Sequence, residues 1–279
     1  MSRVPGTLVV ANVVTLALTL VLNGLANALP LNGQTTGAVS DRFPNLFAPA
    51  GYVFSIWGVI YLGLLAFVAY QFTAAGRRSP AVQRVGGWFA LSGIANSLWI
   101  VFWHYERFPA SLAAMLVLLV SLCAIATRLG PPREAESAGD RWLVYLPFSI
   151  YLGWISVATI ANAAVVLLDL GWDGAPLSPA TWTLLLLAVA TGLGVWFLSR
   201  RGDLAYVAVL VWAFAGIWAR QGGITGPVGD ATVAQGALVA VGVLAVLAVW
   251  RVARAAGRSG HEAVRPAGRA VRPPRRCGR

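Results

Sequence analysis

LVYLPFSIYLGWISVATIANAAVVLL, residues 143–168, contains no charged residue and exceeds the ~20 residues that carry a helix across a bilayer. Wound as a helix, it brings Tyr151, Trp154, Ala158 and Asn162 onto one face, at spacings i, i+3, i+7 and i+11. Lipid alone would be served by Leu and Val, so this aromatic, small and polar stripe faces protein or a ligand. As packing, Ala158 permits close approach and Asn162 bonds a neighbouring helix. As a binding wall, the rings hold something flat. The stripe by itself leaves both open.

Working outward, comparable apolar runs lie at about 8–29, 52–75, 86–104, 110–129, 180–199, 204–220 and 231–250. With 58% hydrophobic residues, 11% charged and a mean hydropathy of +0.72, the chain is excluded from the ordinary soluble class. An all-α polytopic membrane protein with about eight transmembrane helices is expected. The runs are continuous, whereas a membrane barrel alternates in segments of about 10 residues.

All 21 basic residues are Arg. Only Arg42, Arg107 and Arg220 lie outside the N-terminus, the loops near 76–85, 128–142 and 200–203, and the C-terminal tail. The positive-inside rule therefore puts both termini in the cytoplasm. A formal charge of +11 then reports topology, and no nucleic-acid partner is expected. The absence of Lys points to G+C-rich coding, hence a bacterial source and the inner membrane. Arg3, the first apolar run and Ala26-Asn27-Ala28 have the outline of a signal peptide. Asn12, Asn23 and Asn27, however, form the polar stripe of a helix packed in a bundle. From about Ala255 the chain turns to Arg, Gly, Pro and Ala, which predicts a disordered tail near anionic headgroups or a bare topology signal.

Catalytic chemistry is sparse. Cys123 lies in a span and Cys277 in the tail, while His104 and His261 are far apart, so no thiolate metal site or His-pair haem ligation is expected. No acid falls in the middle of a span, which argues against a proton-coupled carrier. Gly222-Gly223-Ile224-Thr225-Gly226 lacks the Lys of a phosphate loop. No catalytic residue and no resident cofactor is assigned.

Aromatic faces recur instead. Phe54, Trp57 and Tyr61 follow the breaker Pro49-Ala50-Gly51, and Asn96, Trp99 and Trp103 share a face of the third span. Trp88, Trp142, Trp172, Trp182 and Trp250 near span ends read as interfacial anchors. Trp57, Trp99 and Trp154 lie deeper, and planar side chains with a hydrogen-bonding edge suit a flat, mostly apolar ligand.

These segments resemble a known family. Pro49-Ala50-Gly51-Tyr52-Val53-Phe54, then Trp57 and Tyr61, is similar to the second-helix signature of the TspO/MBR tryptophan-rich sensory proteins, the translocator protein family. Asn96 and Trp99 with Phe102-Trp103, and Tyr151, Trp154, Ala158 and Asn162, match its third- and fifth-helix motifs in order. Departures are Ala50 for the second Pro, Tyr52 for Trp, Ile150 for Pro, Ala114 and Met115 where many members carry an acid, and no Trp-Tyr pair in 31–45.

The motif resemblance ends near residue 175. It divides the chain into a five-helix unit (1–175), three further helices (176–254) and the Arg-rich tail (255–279). What it implies is a receptor, sensor or carrier for porphyrins, other tetrapyrroles or sterol-like lipids. The implied pocket is Trp57, Tyr61, Asn96, Trp99, Tyr151, Trp154, Ala158 and Asn162, with Trp57 and Trp154 stacked on the ligand. Asn96, Asn162 and Tyr151 would pair its polar edge or tie helices together. Photo-oxidative porphyrin degradation and a ligand-free assembly module are the alternatives. Gly192 and Gly194 offer a contact for a homo-oligomer.

Overall fold

The computed structural model describes residues 4–29 and 31–263, with side chains described through Ala256. Its long helices are α1 (Gly6–Ala28), α2 (Ile56–Tyr70), α3 (Trp88–His104), α4 (Phe108–Leu129), α5 (Leu146–Asp169), α6 (Pro179–Trp196), α7 (Leu204–Gln221) and α8 (Ala231–Ala263). Including the irregular turns that extend α2, α5 and α6, seven of them are long and apolar enough to cross a membrane. The eighth, α3, has 17 residues and spans only about 26 Å. Gly86, at φ +54°, closes the segment before it, and a turn with Glu106 at φ +58° closes its far end. An all-α polytopic membrane protein is what the structure is.

Helix ends follow from local chemistry. Ser178 accepts from the Thr181 N–H ahead of Pro179, and Asp203 accepts from the Tyr206 N–H, so α6 and α7 begin on side-chain caps. A wide π-type turn at Arg141–Tyr145 precedes Pro147, whose missing N–H it accommodates, and one continuous span results. The run expected at 52–75 is helical only to Tyr70. There Thr73 Oγ1 donates to the Tyr70 carbonyl at 2.8 Å and accepts from the Gly76 N–H at 3.0 Å, replacing the helical ladder. At the C-terminus α8 continues to Ala263, so the first part of the expected tail is helix. Residues 264–279 lie outside the described residues.

The first five helices form a ring. Around it α1 touches α2, α2 touches α5, α5 touches α4, α4 touches α3, and α3 returns to α1. Thr19 Oγ1 donates to the Gly93 carbonyl at 3.1 Å, and Asn12 Nδ2 donates to Gln71 Oε1 at 2.9 Å. These bonds fix the polar stripe of α1 inside the bundle. Asn27 donates to the Asn23 carbonyl of its own helix at 3.0 Å.

Helices α6, α7 and α8 pack on one another and join the ring through α7, which lies along α5. Gly194 is used inside this group, since a Cβ there would come within 2.8 Å of Leu210 and 2.9 Å of Leu244. It is therefore not free to serve a homo-oligomer, whereas Gly192 faces open space.

The seam along α7 is hydrogen-bonded from end to end. At the arginine-rich end Ser149 donates to Asp203 at 2.7 Å, and Arg201 donates to the Ala126 and Gly130 carbonyls at 2.8 and 2.6 Å, capping α4. Mid-seam, Tyr206 donates to Ser156 at 3.1 Å and the Trp212 indole donates to the Val53 carbonyl at 3.1 Å. At the opposite end the Ala50 N–H donates to the Gly216 carbonyl at 3.1 Å, Gln221 donates to the Leu46 carbonyl at 3.0 Å, and Arg220 pairs with Asp41 at 2.7 Å. Gly216 is required there, because a Cβ would lie 2.1 Å from Val53 Cγ2.

Candidate functional site

Helices α2, α3 and α5 converge on Trp57. Its ring stacks on Tyr61 at 5.5 Å and on Trp99 at 5.7 Å, and meets Tyr151 and Trp154 edge-on, each at 6.2 Å. Trp99 in turn stacks on Trp103 at 6.2 Å, and Phe54 meets Trp154 at 5.8 Å. Spacings of three, four and seven residues place these rings inward from three helices at once. Among the described residues Trp57 and Trp154 therefore pack on other protein rings.

Beside the cluster lies a cavity of about 40 Å³, bordered by Trp57, Trp99, Trp103, Trp154, Phe54, Ala158 and Asn162. A water or two fits, but ligand pockets run to about 300–1,000 Å³. A groove of about 560 Å³ opens on the other side of Phe54 and Trp57, lined also by Tyr61, Asn23, Asn27 and Asp41. Thr36, Phe54 and Trp57 belong to both spaces and form the wall between them.

The expected residues divide accordingly. Trp57, Trp99, Trp154, Ala158 and Asn162 line the cavity, and Tyr61 lines the groove. Asn96 and Tyr151 line neither. Asn96 Oδ1 accepts from Asn23 at 2.8 Å, and its amide donates to the Tyr151 hydroxyl at 2.9 Å, tying α1, α3 and α5. Asn162 donates to Ser111 at 3.0 Å and so ties α5 to α4. Of the two roles left open for these amides and Tyr151, helix tying is the one their bonds serve.

Polar satisfaction around Trp57 is incomplete. The Tyr61 hydroxyl and the Trp99 and Trp154 indole nitrogens are buried without a hydrogen-bond partner among the described residues. Leaving such a donor unpaired costs on the order of 1–3 kcal/mol. Three unpaired donors around one ring system are unusual in a packed core.

Residues outside the expected set complete the enclosure. Thr36 and Ser40 come from a short helix, Thr36–Asp41, and Pro49 comes from the approach to α2. Thr35 caps that helix by accepting from Ala38. Trp103 fastens it by donating to the Thr36 carbonyl at 3.1 Å, and His104 sits within 3.5 Å of Thr36 Oγ1. The only sequence signal was a Thr cap before a run too short to count as a span. At its edge Glu106 accepts from Gln34 at 2.9 Å and pairs with Arg42 at 3.0 Å, and these two, Gln34 first, hold its carboxyl below its usual value.

A ring of five helices enclosing an aromatic, partly unsatisfied centre defines a polytopic membrane protein of the TspO type. The sequence profile of the family described as TSPO-like protein matches residues 9–250, and the chain belongs to that family. The match runs through α6, α7 and into α8, well past residue 175 where the motif resemblance stopped. Neither the curated proteins nor the solved structures contain a match.

Proposed function

We propose that the protein is a membrane receptor or carrier for flat, mostly apolar molecules with acceptor groups, porphyrins before sterol-like lipids. The ligand is held between α2, α3 and α5. The observation that carries this reading is the trio of unpartnered buried donors, Tyr61, Trp99 and Trp154, around the central Trp57. Trp57 and Phe54 act as the movable wall, and swinging them aside joins the inner cavity to the outer groove. In this reading the arginine-rich end faces the cytoplasm of a bacterial cell and the groove opens on the other side.

Titrating the detergent-solubilised protein with protoporphyrin, following Trp fluorescence, tests it. Saturable quenching is expected, weakened about tenfold by Trp57→Phe with Trp154→Phe after correction for lost emission. Linear quenching that ignores the substitutions would mean that the porphyrin is only in the micelle, and the reading would fall.

A second reading, a bundle whose rings merely pack, is favoured by the ring-on-ring stacking and by the helix ties of Asn96 and Asn162. It predicts that every cluster substitution lowers stability and none changes a ligand response.

A further inference from the structure

At the arginine-rich side, where α6 ends against α8, a further cavity of about 370 Å³ lies between the two helices, away from the aromatic cluster. Its inner wall is apolar, formed by Val195, Leu198, Leu247 and Trp250, and its rim carries Arg251 and Arg254. Both guanidinium groups are placed by the fold. The Arg254 guanidinium lies over the Trp250 ring at 3.7 Å, which fixes its orientation through a cation–π contact. Arg251 reaches across the turn between α6 and α7. Gly202 holds that turn at φ +67°, and a Cβ there would come within 2.6 Å of Arg251 Nη2, so a glycine both makes the turn and leaves room for the side chain.

Among the described residues no carboxylate forms an ion pair with Arg251 or Arg254. Asp203, the acid of the adjoining turn, is buried and already accepts from Ser149 and from the Tyr206 N–H. Two oriented cations with no acidic partner among the described residues therefore stand at the rim of an apolar cleft, at the level where membrane-spanning helices leave the hydrocarbon.

From this juxtaposition we infer a binding site for an anionic phospholipid, with its phosphate between Arg251 and Arg254 and an acyl chain against Val195 and Leu247. Basic pockets between spanning helices recognise such headgroups, and the apolar wall has a use only if a chain accompanies the phosphate. The site is independent of the aromatic cluster and does not rest on its proposed ligand.

Native mass spectrometry of the full-length protein in detergent, titrated with phosphatidylglycerol and with phosphatidylcholine of the same acyl chains, tests the inference. Saturable retention of phosphatidylglycerol is expected, weakened about tenfold or more by Arg251→Gln with Arg254→Gln, with phosphatidylcholine binding unchanged. Arg77→Gln with Arg78→Gln removes the same charge from the same end outside the cleft and leaves retention intact. Leu247→Trp fills the apolar wall and lowers phosphatidylglycerol retention while both cations remain. Equal loss in the Arg77 and Arg78 pair would reduce the effect to diffuse charge and overturn the site. Full retention in the Arg251 and Arg254 pair, or in the Leu247 variant, overturns it as well.

Discussion

The seam along α7 and the cluster around Trp57 lie on neighbouring faces of α5, yet they satisfy their polar groups to different degrees. Along the seam Ser149, Tyr206, Trp212, Gln221 and Arg220 each have a partner, and the two sides interlock to the point that Gly216 admits no Cβ. Around Trp57 the rings pack just as closely, but three donors are left unpaired. The difference is one of degree, since the seam leaves one buried donor without a partner among the described residues, Arg201 Nε, and the cluster leaves three. A surface whose only task is cohesion has every reason to pair its donors, so under the proposed reading the excess at the cluster is what distinguishes a site from a joint.

The largest effect is expected from breaking the joint. Gly216→Leu drives a side chain into Val53 and Pro49, and overpacking of that kind costs about 3 kcal/mol. Thermal unfolding in detergent should show a fall of several degrees, with displacement of the Gly51–Ser55 turn that carries Phe54. If Gly216→Leu melts like the wild type, α7 is a lipid-facing neighbour instead of a clamp.

Next come the ties inside the ring. Replacing Asn96 or Asn162 with Leu removes interhelical hydrogen bonds worth about 0.6–2 kcal/mol in a membrane. Stability falls, and porphyrin quenching changes by less than about twofold, because both amides are committed to helices. A large loss of quenching in either variant would return that amide to the binding surface.

Trp154→Phe should act with the opposite sign. It keeps a ring against Trp57 and Phe54 but deletes an unpaired indole N–H, so stability is expected to hold or rise, by up to about 1 kcal/mol. Porphyrin affinity drops at the same time. A variant that gains stability while losing ligand marks a site, and one that loses both marks packing. Melting temperature and quenching on the same preparation decide between them.

How much of this was legible in the sequence depends on the range over which each feature is encoded. Hydropathy and helical period are local, so the spans and the inward faces of Trp57, Trp99 and Trp154 could be read directly. The role of an intramembrane Asn could not, because Asn96 and Asn162 look the same whether they meet a ligand or Tyr151 and Ser111. Contacts such as Trp212 with Val53 join residues far apart in the chain, and no periodicity announces them. Cavity size depends on rotamers, and the stacking of Trp57 on Trp99 leaves about 40 Å³ where the motif alone implied room for a macrocycle. The short helix Thr36–Asp41 is a six-residue stretch with one Thr cap, below the length at which an amphipathic pattern declares itself.

That short helix supplies the smallest expected effect and the finest test of the contrast, because it covers the cluster yet is moored on its outer edge by exposed charges. Arg42 and Glu106 are 45% and 39% exposed, so their pair is screened by solvent and contributes little. The Gln34 hydrogen bond, then Arg42, hold the Glu106 carboxyl below the ordinary value of about 4.3. A carboxyl whose folded pKa is depressed contributes stability that is present above its unfolded pKa and lost as pH falls through the folded value. The loss therefore belongs to the acidic side of the normal carboxylate range and leaves neutral pH untouched. Melting temperatures at pH 6 and pH ~3.5 should differ slightly more in the wild type than in Glu106→Gln, which cannot ionise. Since Trp103 holds the inner side of the same helix through a hydrogen bond to the Thr36 carbonyl, which does not titrate, loss of the Glu106 contacts should loosen the edge and leave the cluster closed, and His104, which also titrates in this range, is common to the wild type and Glu106→Gln. Trp fluorescence that shifts with the acid transition in the wild type and not in Glu106→Gln would show instead that the surface pair, and not the buried bonds, keeps the cover in place.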